Sequence, residues 1–297
     1  MSFGVFTLFS LLAVSTPAED VCGALSGSEA LLEATEGRVL VIGEIHGTEQ
    51  VPQFIQSLAC LSLARGESVV IGLEQPADEQ ARLNAYLQSD GDADARSALI
   101  EASPFWTSSS LDGRSSEAIF GMIEYAREQA EEGEPLAVAA LDFSPEHDSD
   151  LDADPARRDR AMSRRALALA DDFDRVIALA GNIHARRTAA TFGDRQTETI
   201  GSVSPPERFA FINTVYGVGS VWNCRISDGG APSCRVYGRS NSPFSGDPRL
   251  IGASEIEEMS GRSFYADPYD YLVFLGEVRA SPPAVRAARE QSVARQD

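Results

Sequence analysis

Four short apolar runs, each followed by a stretch with helical spacing, constrain the fold of this chain more than any other feature. Residues 39–42, 69–73, 136–141 and 175–180 are rich in Val, Ile, Leu and Ala and bounded by polar residues, the pattern of buried strands. Between the first two, apolar residues at Val51, Phe54, Ile55, Leu58, Leu61 and Leu63 follow helical spacing until Gly66. Pro76 suits the first turn of a helix running to about Gln88, and Ser115 or Ser116 can cap one ending near Glu132. Residues 157–172 read as a charged amphipathic helix. Such alternation implies an α/β fold, a mostly parallel central sheet flanked by helices. From about Thr197 the texture turns β-rich, which implies a C-terminal extension of that sheet or a cap on it. One α/β domain over residues 19–280 is expected, with a tail at 281–297 and a helix near Ser254.

The net charge is -20, and every basic residue is an arginine. A surface of that sign repels phosphate backbones, so nucleic acid is excluded as a partner and a small molecule or peptide is expected as substrate. Residues 1–18 carry an apolar run and then Thr16 and Ala18 at small-residue spacing, as in a cleavable export leader. That run is short for a membrane span, and no stable anchor is expected. Residues 224 and 234, both cysteines, flank a turn-rich stretch between β-like runs, which suits a hairpin disulfide; Cys22 and Cys60 are left to pair. Two structural disulfides point to an oxidising, periplasmic or secreted location.

Right-handed crossovers bring all four strand ends to one edge of the sheet. The first run ends in Gly43-Glu44-Ile45-His46-Gly47, the second in Glu74, the third in Asp142, and the fourth in Gly181-Asn182-Ile183-His184. In open α/β sheets that edge is where ligands bind. Each residue has a purely structural alternative, such as a helix-start acid for Glu44 or Glu74 and a turn former for Asp142 or Asn182. Their concentration on one edge, with two of the three histidines, favours a site. The third, His147, falls in the acidic stretch 144–155, which reads as a mobile solvated loop. Glu44, His46, Glu74 and His184 are expected as the reactive groups, with Asp142 and Asn182 supporting them. Arg114, beside an aromatic loop, is expected to clamp substrate. Arg158 and Arg160 serve the same purpose or balance local charge.

Two chemistries suit that set. Glu44, His46, Glu74 and His184 could bind Mn, Co, Fe or Zn to activate water. Alternatively a carboxylate orients His46 as a general base without metal. The chain shows neither a Gly-rich phosphate loop nor a Gly-x-Ser-x-Gly elbow.

Gly43 to Gly47, Glu74 after a strand, and Gly181 to His184, in this order over residues 38–190, resemble the superfamily that joins ChaN-type haem-binding uptake proteins, Tiki and TraB proteins, and erythromycin esterases. Arg158-Asp159-Arg160 resembles the family's Arg-containing helix. The resemblance implies an α/β fold with its site at the strand ends. By analogy with Tiki proteases, His46 and His184 would bind metal; by analogy with erythromycin esterases, His46 would be a general base beside Glu44 and Glu74. ChaN-type proteins bind haem through a tyrosine, which has no located counterpart here. The expectation is an exported hydrolase acting on ester or peptide bonds, and the alternative a haem- or metal-binding uptake protein without turnover.

Overall fold

The computed structural model describes residues 18–108, 111–226, 230, 232–239, 244–251, 255 and 268–285. The strands are β1 (Val39–Glu44), β2 (Val69–Pro76), β3 (Leu136–Asp142), β4 (Arg175–Gly181), β5 (Ala190–Phe192), β6 (Arg195–Thr197), β7 (Phe209–Val215), β8 (Gly219–Ile226), β9 (Pro232–Arg239), β10 (Arg249–Ile251) and β11 (Tyr271–Phe274). Seven form one sheet in the order β10-β11-β7-β1-β4-β2-β3. Every neighbouring pair is parallel except β10 and β11.

Parallel strands need crossover helices, and these cover both faces. On one face Leu40, Ile42, Ile71, Leu73, Ile177 and Leu179 pack against helices Gln50–Ala64 and Glu117–Glu131. On the other, Val39, Val41, Val70, Val176 and Ala178 meet Met162 and Ala166 of helix Arg157–Leu169. Alternate residues of one strand thus enter opposite cores, which is why the runs read as continuously apolar. Ser116 caps helix Glu117–Glu131 by accepting from the Ile119 amide.

The β-rich remainder does two things. β7, β11 and β10 extend the sheet, while β8 and β9 form a separate two-stranded ribbon closed by Cys224–Cys234. Cys22–Cys60 ties the N-terminal segment to helix Gln50–Ala64. Both disulfides match an oxidising, exported environment. No helix among the described residues is long and apolar enough to cross a membrane.

The acidic stretch 144–155 is not the uniformly solvated loop expected. Ser144 and Asp148 are buried, and Asp148 accepts from the Ser144 amide and from Arg165. A short 3-10 turn, Ser149–Leu151, follows, while His147 is exposed. The leader ahead of Ala18, the helix at Ser254 and the tail beyond Val285 lie outside the described residues.

Candidate active site

β1, β4, β2 and β3 are neighbours, so their C-terminal ends present Glu44 and His46, then Gly181 to His184, then Glu74, then Asp142 side by side. Glu44, Glu74 and Asp142 are 2%, 5% and 4% exposed. Burial of three carboxylates is costly unless cations and N–H donors compensate it.

Compensation comes from four directions. His46 Nδ1 lies 2.9 Å from Glu44 Oε1, and His46 Nε2 lies 3.5 Å from Glu74 Oε2. The second contact crosses β4, which separates β1 from β2. Gly181 makes that crossing feasible: a Cβ there would stand 3.1 Å from His46 Nε2, and its amide donates to Glu74 Oε2 at 2.7 Å. The other Glu74 oxygen accepts from Arg158 Nη2 at 2.6 Å and Arg114 Nη1 at 3.1 Å. Arg158 also chelates Asp142, with Nε 3.0 Å from both oxygens and Nη2 2.6 Å from Oδ2. Arg114 is held in turn by Asp112, through Nε at 3.0 Å and Nη2 at 2.8 Å.

His184 points its Nδ1 at Asp159 Oδ1, 2.7 Å away, and its Nε2 at Arg158 Nη1, 3.3 Å away. A guanidinium only donates. The Arg158 contact therefore selects the neutral His184 tautomer, with a proton on Nδ1 and a lone pair on Nε2. Burial acts to lower the His184 pKa, but the Asp159 hydrogen bond and the Glu74 charge raise it overall. His46 differs in that both its nitrogens face carboxylates. Burial again acts downward, and the Glu74 charge together with hydrogen bonds to Glu44 and Glu74 reverses it, raising the pKa to about 10. Glu74 moves the opposite way: burial would raise its pKa, and the His46 charge and hydrogen bond, with the Arg114 charge, hold it well below the usual carboxylate range. His46 and Glu74 thus form an ion pair at neutral pH.

The turn carrying His46 is fixed by later chain. Thr214 Oγ1 donates to Gly43 O at 2.8 Å, and the Ile45 amide donates to the Tyr216 hydroxyl at 3.2 Å. Gly47 adopts φ +92°, and its carbonyl accepts from the Trp222 and Ser281 amides. A Cβ at Gly47 would overlap Trp222 O. Trp222 Nε1 also donates to Leu111 O at 2.8 Å, so the β8–β9 ribbon braces the loop of Asp112 and Arg114 as well.

Of the residues expected from sequence, Glu44, His46, Glu74, Asp142, His184 and Arg114 meet in this cluster. Asn182 serves through its backbone: its amide donates to Glu44 O at 2.7 Å and its carbonyl accepts from Tyr269. Arg158 is central, whereas Arg160 pairs with Asp154 outside it. Gly181 was read only as part of the motif that ends in His184, and Asp112, Asp159, Thr214 and Tyr216 were not expected in the site. Asp112 and Asp159 adjoin residues that were, and their charge alternation with Arg114 and Arg158 was the available signal.

The donors do not fit the metal expected at Glu44, His46, Glu74 and His184. Among the described residues no three His, Cys, Asp or Glu converge so as to hold an ion. The physical reason is Arg158, whose guanidinium fills the space between Glu74, Asp142 and His184 and supplies the positive charge there.

No protein-family model matches the chain, and no curated protein sequence does. Solved structures do match. The chain is similar to an erythromycin esterase EreC variant in its open conformation, with 13% identity and TM-score 0.57, over 84% of this chain and 93% of that one. It is similar to a succinoglycan biosynthesis protein (12% identity, TM-score 0.56, 90% of this chain and 93% of that one). A Bacillus cereus protein matches at 10% identity and TM-score 0.55, over 86% and 92% of the two chains. At such identities the likeness concerns architecture, and the chain shares the α/β fold of the erythromycin esterase EreC.

Proposed function

We propose that this protein is an exported, periplasmic or secreted hydrolase that cleaves an ester bond with water, without metal. The observation that carries the reading is the pair of imidazoles with different partners on one sheet edge, His46 between two carboxylates and His184 between Asp159 and Arg158. His46, charged between Glu44 and Glu74, is a proton donor in the resting site. His184, with Asp159 behind Nδ1, keeps the lone pair on Nε2.

The base expected at His46 is better served by His184, because an imidazolium has no lone pair to offer. Once a water displaces the long Arg158 Nη1 contact, His184 Nε2 takes a proton from that water as its oxygen attacks the acyl carbon, with Asp159 supporting the imidazolium that forms. Negative charge then develops on the carbonyl oxygen. Arg114 and Arg158 present guanidinium N–H groups beside it, prearranged by Asp112, Glu74 and Asp142. His46 Nε2–H protonates the leaving alkoxide, and the proton on His184 later returns through solvent. Structural likeness to an erythromycin esterase supports an ester as the bond cleaved.

The test is hydrolysis of a panel of esters, lactones and peptides by the purified chain, with and without chelator. Ester cleavage unaffected by chelator is expected. His46→Ala and His184→Ala should each reduce kcat/KM by roughly 10²- to 10⁴-fold. Cleavage that needs added metal, or that survives both substitutions, would overturn the reading.

A further inference from the structure

A crevice of about 470 Å³ opens beside the reactive groups, between the turn after β2 and the loop of Arg114. Its inner wall is Asp112 and Arg114, and Arg114 reaches on to Glu74, so crevice and site share a side chain. Phe105 supplies an apolar wall, and Asp78, Glu79 and Glu146 an acidic one. The cations in the wall are already engaged: Arg114 by Asp112 and Glu74, Arg82 by Glu79 Oε1 at 3.4 Å. Asp78 and Glu146 are exposed and enter no ion pair among the described residues. Glu79 is the informative member. It is 3% exposed, its Oε2 has no hydrogen-bond partner among the described residues, and burial raises its pKa against the opposing influence of Ser103 and Arg82. A buried carboxyl short of donors is stabilised by a ligand that brings them.

We propose that this crevice binds an organic ammonium ion, its apolar body against Phe105 and its charge among Asp78, Glu79 and Glu146. An anion would meet three carboxylates with no free cation among the described lining residues to offset them. A neutral alcohol would gain the apolar contact alone. The ammonium gains both, and the overall charge of -20 draws it toward the protein at low salt. The volume lies in the range of small-molecule sites. Where the site acts as the hydrolase proposed above, the ammonium is the part of the substrate remote from the cleaved bond, and only that last step rests on the hydrolase reading.

The experiment is calorimetric titration of the full chain, at neutral pH, with benzylammonium, benzyl alcohol and benzoate. The ammonium should bind about tenfold more tightly than the alcohol, and benzoate should give no binding heat. Raising the salt should shrink that preference. Asp78→Asn combined with Glu146→Gln should reduce it to about threefold or less. Glu36→Gln, which removes a charge just before β1 at the opposite edge of the sheet, should leave it intact. Equal affinity for the three probes, no ammonium binding at roughly 10 mM, or a double variant that keeps the preference would each overturn the inference. Binding is read without turnover. A chain that binds the ammonium but cleaves no ester would refute the hydrolase and leave this inference standing.

Discussion

An imidazole gripped by two carboxylates is a strong constraint at the scale of single residues. His46 holds its proton to about pH 10, against 6.5 for a free imidazole. The folded state therefore binds more protons than the unfolded one between those values, and its stability falls as pH rises. The His46 contribution is complete below about pH 6.5 and is lost on passing 10. Glu74 mirrors it: its contribution is present above the ordinary carboxylate range and is lost as pH falls through its depressed value. His184, whose pKa is also raised, adds to the same limb, while lysines are absent and the four cysteines are bonded. The melting temperature should decline from pH 7 to 10, and His46→Gln should flatten that decline; parallel slopes would show an ordinary histidine. Gly181 gives a second prediction. Its φ is not among the positive ones, so alanine fits the backbone, yet the new Cβ would press on His46 Nε2 at 3.1 Å. Gly181→Ala should lower ester kcat/KM about tenfold or more with little change in melting temperature. Unchanged kinetics would mean that the His46–Glu74 contact across β4 is not used.

At the scale of elements, the site is four strand ends closed by one helix. The strand ends were legible because a parallel strand buried on both faces reads as an apolar run, and a polar residue at its end stands out. Helix Arg157–Leu169 was legible as an element, but not which of its charges enter the site, since Arg158 and Asp159 belong to a charged run whose other members, Arg160 and Arg164, pair with acids outside it. Only the packing of Met162 and Ala166 on the sheet decides which charges face the strand ends. Sheet order was also hidden: β4 inserts between β1 and β2, and β7 joins on the far side of β1. Nothing in the spacing of Phe209–Val215 showed that it would deliver Thr214 and Tyr216 to the His46 turn. The placement of Arg158 leads to a prediction that separates an intrinsic cation from a metal. Arg158→Ala leaves Glu74, Asp142 and His184 around the space of the lost guanidinium. Because one member of a largely buried charge cluster is removed, stability should fall by about 2 kcal/mol, below the fully buried range because Arg158 is partly open to water. Zinc should then raise the melting temperature of the variant and leave the wild type unmoved. A wild type stabilised equally by zinc would restore the metal reading.

At the scale of the whole molecule, 45 acidic against 25 basic residues leave a chain that repels itself, and covalent ties offset part of that repulsion. The two disulfides should differ in what they protect. Cys22–Cys60 closes 38 residues and anchors a peripheral segment to the C-terminal half of helix Gln50–Ala64, the half away from the His46 turn. Cys224–Cys234 closes only 10, but its ribbon carries Trp222, whose amide holds Gly47 and whose indole holds Leu111. Loop-closure entropy assigns about 4 kcal/mol to the longer loop and about 3 kcal/mol to the shorter. Replacing Cys22 and Cys60 by serine should therefore lower the melting temperature by about 6 °C while ester kcat/KM at 25 °C stays near wild type. Replacing Cys224 and Cys234 should cost fewer degrees yet reduce kcat/KM, because the ribbon then braces less firmly the turn of His46 and the loop of Arg114. Melting curves and kinetics on the two double variants decide the matter. If the second pair lost stability without activity, the ribbon would be an appendage to the sheet, and the turn of His46 would be held by Thr214, Tyr216 and Ser281.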